Sequence, residues 1–124
     1  MQILLFYIGA GAIFLWGIGH LVPTRNVVSG FGKLSADNRR IITMEWLLEG
    51  LTLCFLGVLV LVSVFLVGSD HAATHLVARS CAAMLFIMAA VTAFTGARTA
   101  IVPMKLCPYV KVAVGIIYVI ASLV

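Results

Sequence analysis

The chain has 124 residues, of which 64% are hydrophobic and 10% charged, and eight Lys and Arg against four Asp and Glu leave a net charge of +4. A water-soluble domain carries about 25% charged and about 45–50% apolar residues, and a chain this short could not hide so much apolar surface in water. Disorder, a disulfide-stapled secreted module and a cytosolic enzyme are excluded together, and lipid is the expected solvent.

The elements follow in chain order. Residues 2–22 hold no charge and one histidine, His20, in a continuous rather than alternating apolar run, which reads as a helix. Met1-Gln2 offers no basic residue and no small-x-small pattern precedes His20, so a retained span is expected and not a cleaved signal peptide. Residues 23–40 form the longest loop, with turn chemistry at Ser29-Gly30-Phe31-Gly32. Within it, Ser35-Ala36-Asp37 reads as an N-cap region, because short oxygen-bearing side chains accept from the free amide hydrogens of a helix start. A second helix over 36–67 is therefore predicted to begin before the membrane does.

Gly68-Ser69-Asp70 makes a tight connection, so the second and third helices are expected to be antiparallel neighbours. The third helix is placed at 72–97. A third loop, 98–108, is punctuated by Pro103 and Pro108. The last apolar run is short from Tyr109 onward, so its helix is placed at 104–124, with Lys105 and Lys111 snorkelling to the surface. A span needs about 20 residues. The prediction is a single all-α domain over 1–124, a polytopic membrane protein built as a four-transmembrane-helix bundle.

Orientation follows from the basic residues. The first and third loops share one side, with Arg25, Lys33, Arg39, Arg40, Arg98, Lys105 and Lys111, and the other side has only Arg79. Lys and Arg favour the cytoplasm, so loops 23–40 and 98–108 are expected there, in a cell inner or plasma membrane, with both termini outside. Attraction to anionic lipid headgroups accounts for the positive charge, and no nucleic-acid partner is expected.

Two carboxylates resist this explanation. Glu45 and Glu49 lie about one and two turns into the second span, about 40° apart around the helix, with Thr52 on the same stripe. A carboxylate at that depth costs several kcal/mol without a partner, so groups from other helices are expected to face them. His20 near the end of the first helix, and Thr95 and Arg98 at the end of the third, share their membrane level. A cluster of His20, Glu45, Glu49, Thr95 and Arg98 is thus predicted, either as a helix-to-helix clasp or as the polar floor of a ligand- or proton-binding pocket. Trp16, Trp46 and Tyr109 read as boundary anchors, with Trp46 an alternative pocket wall.

The remaining polar groups read as structural. His71, His75 and Arg79 repeat every four residues, but Arg79 opposes a cation, so a solvated helix start capped by Ser69 or Asp70 is expected rather than a metal site. Cys54, Cys81 and Cys107 form no C-x-x-C pair, and the two in spans read as small apolar residues. Ala82, Ala89, Ala93 and Gly96 form one small-residue patch and Gly50 with Gly57 a second, which let helices approach closely in a bundle. No metal, haem or flavin pattern is visible, so no metal and no cofactor is expected.

The segment Glu45-Trp46-Leu47-Leu48-Glu49-Gly50-Leu51-Thr52-Leu53, followed by Gly57, resembles the second helix of DoxX-like membrane proteins. The Gly17-Ile18-Gly19-His20-Leu21 ending of the first helix and the four-helix length are similar too. The resemblance implies a small four-helix bundle; some relatives are membrane subunits of quinone-linked sulfur oxidoreductases, and animal relatives include receptor-assembly chaperones. The leading expectation is a bundle that binds a lipid, a quinone or another amphipathic small molecule in a cytoplasmic-side pocket. The alternatives are a proton-coupled small-molecule transporter using Glu49, and a membrane subunit or assembly factor for another membrane protein. Membrane lipid, a partner membrane protein and a second copy of the chain are the expected partners. No catalytic residue is legible, and an enzyme is the less favoured reading.

Overall fold

Two helix starts in this chain sit where a side chain accepts from a free backbone amide. The computed structural model describes residues 1–124, and it is all-α: α1 (Gln2–Leu21), α2 (Thr24–Gly30), α3 (Ala36–Val67), α4 (Ala72–Phe94), a 3-10 turn (Gly96–Arg98) and α5 (Val102–Ala121). Ser35 caps α3 by accepting from the Asn38 amide at 3.2 Å. Gly68 ends it at a φ of 96°, a conformation that glycine adopts without a Cβ clash. The next helix is capped by His71, whose Nδ1 accepts from the Ala73 amide, and not by Ser69 or Asp70 as expected.

Three further boundaries differ from the sequence reading. The first loop contains the short helix α2. The third long helix stops at Phe94, and a 3-10 turn covers the remainder. The fourth starts at Val102 instead of Met104, because Pro103 in the first turn has no amide that a helix would need there. That earlier start carries Lys111 about 14 Å into α5 by helical rise. Instead of snorkelling, Lys111 is fully buried.

Four helices are long and apolar enough to cross a membrane: α1, α3, α4 with its 3-10 turn, and α5. They form a closed four-helix bundle in which α1 sits between α3 and α5, while α4 sits between α5 and α3. The α1–α3 and α4–α5 pairs pack most closely, and α3 and α4 are looser neighbours despite their tight connection. The core fills the half of the bundle nearer the termini, with Phe6, Ile13, Leu53, Leu85 and Tyr118 fully buried. At that end Gln2 donates to the Ala121 carbonyl at 3.1 Å, and Arg79 donates to the Ser122 hydroxyl and carbonyl at 2.9 and 2.8 Å. The opposite end carries the basic loops and is called the basic end below.

Glycines set the close approach of α1 to α3. A Cβ at Gly17 would stand 2.6 Å from Cys54 Sγ and 2.8 Å from the Gly50 carbonyl, and one at Gly57 would stand 2.7 Å from the Ala10 carbonyl. Backbone cannot yield there, so the small residues Gly50 and Gly57 serve helix packing. Gly17→Ala should therefore cost about 1–3 kcal/mol through overpacking. Gly11→Ala, which meets nothing within 4 Å, should be neutral or slightly stabilising. Denaturant titration of the two variants in one detergent checks this, and equal losses would contradict it.

Candidate functional site

A buried polar cluster lies toward the basic end, assembled from four helices. Glu49 projects from α3, His20 from the last turn of α1, Thr92 from α4, and Cys107 and Lys111 from α5. Cys107 and Lys111 are four residues apart and so face one direction. Pro108 follows Cys107 inside α5 and cannot donate to the carbonyl one turn back.

Lys111 is the centre of the cluster. Its Nζ donates to Glu49 Oε1 at 2.5 Å and to Thr92 Oγ1 at 2.7 Å, while its side chain is 0% exposed. Thr92 in turn donates its hydroxyl to the Met88 carbonyl at 2.8 Å. An ammonium sealed in an apolar interior needs a carboxylate beside it, and Glu49 supplies one. Both charges thus find the partner that the membrane denies them.

The same Glu49 oxygen also faces His20 and Cys107. His20 Nε2 lies 3.9 Å from Glu49 Oε1 and 3.9 Å from Cys107 Sγ, and Cys107 Sγ lies 4.0 Å from Glu49 Oε1. The ring of His20 is fixed from three directions. Its Nδ1 is 3.2 Å from the Trp16 carbonyl, its face stacks on Trp46 at 5.2 Å between centroids, and Trp16 packs tilted at 6.2 Å. Trp46 Nε1 donates to the His20 carbonyl at 2.6 Å, and Thr24 donates to the Leu21 carbonyl at 2.6 Å, so the last carbonyls of α1 gain side-chain partners. Trp16 Nε1 donates to Cys107 Sγ at 3.4 Å.

Two cavities flank the cluster. One, of about 460 Å³, is walled by Trp16, Trp46, Leu15, Ile101, Pro103 and Met104, with His20 as its titratable lining group. Its volume falls in the range of about 300–1,000 Å³ typical of small-molecule pockets. The second, of about 270 Å³, opens between α3 and α4 onto Glu49, Lys111, Thr92 and Thr95. Met104 lines both. The cluster therefore separates a mostly apolar hollow from a second, more polar one.

The residues expected to gather here separate into three groups. His20 and Glu49 come together, and Thr95 stands on the rim of the second cavity with its hydroxyl donating to the Val91 carbonyl at 2.7 Å. Glu45 is exposed and joins no salt bridge. Arg98 is exposed and lies over the Phe94 ring at 5.7 Å, away from both carboxylates. Lys111, Cys107 and Thr92 complete the cluster and were not expected in it. The signal for Lys111 was present in Pro103, which starts α5 early, and in the i, i+4 spacing to Cys107.

No family model matches the chain, and neither a curated protein nor a solved structure matches it. The site is therefore read from its own geometry. Glu49→Ala, which strands the Lys111 ammonium, should cost about 3 kcal/mol or more. Glu45→Ala should stay within about 0.5 kcal/mol. Melting temperatures of the two variants in one detergent separate them, and equal values would contradict the assignment.

Proposed function

We propose that this protein is a multi-pass membrane protein that binds an amphipathic small molecule, of the quinone class, in the cavity walled by Trp16 and Trp46. The observation that carries this reading is the character of that cavity: apolar walls with two indoles suited to a flat ring, and one imidazole to receive a polar end. Behind the imidazole stands the Glu49–Lys111 pair, so a carbonyl or hydroxyl placed at His20 would lie within reach of a charged network without touching lipid. The reading rests on the cavity and not on the DoxX-like resemblance of 45–53.

A transporter that works through Glu49 is less favoured. Such a carboxylate must release and rebind its load, and here Lys111 occupies it. For orientation, the first and third loops are proposed to be cytoplasmic. With Lys111 buried in the bundle, six of the seven basic residues on that side remain, against Arg79 on the other, and the bias stands.

Both tryptophans of the chain line the cavity, so fluorescence excited beyond the tyrosine absorption band reports on it alone. A short-chain ubiquinone analogue added to the protein in lipid nanodiscs should quench it with a saturable curve. Gly19 lines the same cavity, and a side chain there would meet nothing within 4 Å of its Cβ. Gly19→Leu should therefore fill the space and weaken the saturable component by about tenfold or more, which is about 1.4 kcal/mol. Linear, unsaturable quenching that Gly19→Leu leaves unchanged would overturn the proposal.

A further inference from the structure

Three donors of different chemistry converge behind the tryptophan-walled cavity, and their spacing does not suit hydrogen bonding. His20 Nε2, Glu49 Oε1 and Cys107 Sγ form a triangle with edges of 3.9, 3.9 and 4.0 Å. The His20–Glu49 edge exceeds the about 2.7–3.2 Å of a good N–H···O hydrogen bond, and the two sulfur edges lie at the outer limit of a weak sulfur hydrogen bond, so Nε2 of the 6% exposed His20 has no close protein partner. A point at the centre of such a triangle is about 2.3 Å from each corner, the Zn–S distance and a little beyond the Zn–N distance. The edges are long for direct bonds and the right length for something shared.

The geometry points to a metal site in which His20, Glu49 and Cys107 together hold one divalent cation of the zinc class. Imidazole, carboxylate and thiolate are the ligand types such an ion takes, and three protein ligands leave a fourth position open. The surroundings are those of a metal site. His20 Nδ1 faces the Trp16 carbonyl at 3.2 Å, which puts the proton on Nδ1 and turns the Nε2 lone pair into the triangle. The Trp16 indole N–H points at Cys107 Sγ and supports it as a thiolate. The ligands come from α1, α3 and α5, so an ion would also tie three helices together.

Lys111 sets the charge balance. Its ammonium occupies Glu49 Oε1 in the cation-free state and competes with an ion for that oxygen. Coordination by Cys107 releases the thiol proton to the buffer; because the ion takes the Glu49 charge, the buried Lys111 ammonium gives up a proton as well, so the site stays neutral and the Lys111 amine keeps its contact with Thr92. The ion takes the same His20 nitrogen that a guest of the tryptophan-walled cavity would meet, so the two compete for it; the zinc test is run with no quinone present, and its outcome leaves quinone binding undecided.

The test uses the full chain, purified in detergent and stripped with a chelator, with zinc chloride and then cobalt chloride as probes. One zinc per chain should bind, and cobalt should give a thiolate-to-metal charge-transfer band in the near ultraviolet. Cys107→Ser and His20→Ala should each weaken zinc by about tenfold or more and Cys107→Ser should abolish the band, whereas a Cys54→Ala/Cys81→Ala variant should keep both. If Cys107→Ser fails to fold, the cobalt spectrum of the unaltered chain decides: a thiolate band that survives Cys54→Ala/Cys81→Ala supports the site. Cobalt bound without a thiolate band, or zinc bound equally by Cys107→Ser, overturns it, as does the absence of stoichiometric zinc.

Discussion

An ammonium group with no exposed surface, placed about two and a half turns into a membrane helix, cannot stand without a counter-charge. Lys111 is that group and Glu49 is its counter-charge. The requirement fixes more than one contact. It sets the rotation of α5 about its axis, because Lys111 must face inward. It also sets the height of α3, because Glu49 must meet it at the same level. Thr92 then determines which face of α4 closes the set. Removing the charge from either partner leaves the other buried and unmatched, and that is the costliest defect this small bundle can suffer.

From that constraint the two cavities follow. Turned inward by Lys111, the same face of α5 presents Cys107 one turn earlier, against His20 and Trp16. The wedge of polar side chains keeps the helices from closing toward the basic end, whereas at the other end Phe6, Leu85 and Tyr118 are fully buried in the interior. The loose approach of α3 to α4 opens one hollow beside Glu49, and the turn from α1 into α2 leaves the other beside His20. The stability of the bundle and its capacity to bind are therefore linked through one group of side chains.

The sequence alone made the membrane helices legible, because an apolar run of about 20 residues has few other uses. Ser35 announced the start of α3, since a cap is a local interaction written in neighbouring residues. Glu49 and His20 were legible as polar groups at one membrane level. Their partners were not, for a physical reason: a lysine near a helix start and a cysteine in an apolar run each have a commonplace role that needs no long-range contact. Whether Lys111 snorkels or turns inward depends on the register of α5, and that register is set by packing of distant segments. Lys105, six residues earlier, does stay exposed. Arg98 shows the converse, because a group at the right depth still lies outside the cluster when its helix ends early at Phe94.

Lys111 and Glu49 act as one unit inside the bundle. A double-mutant cycle with Glu49→Gln, Lys111→Met and the two combined, read from unfolding free energies in one detergent, measures it most directly. Each single change should be strongly destabilising, and the double variant should lose about 1–3 kcal/mol less than the sum. Additive losses, within about 0.5 kcal/mol, would contradict it.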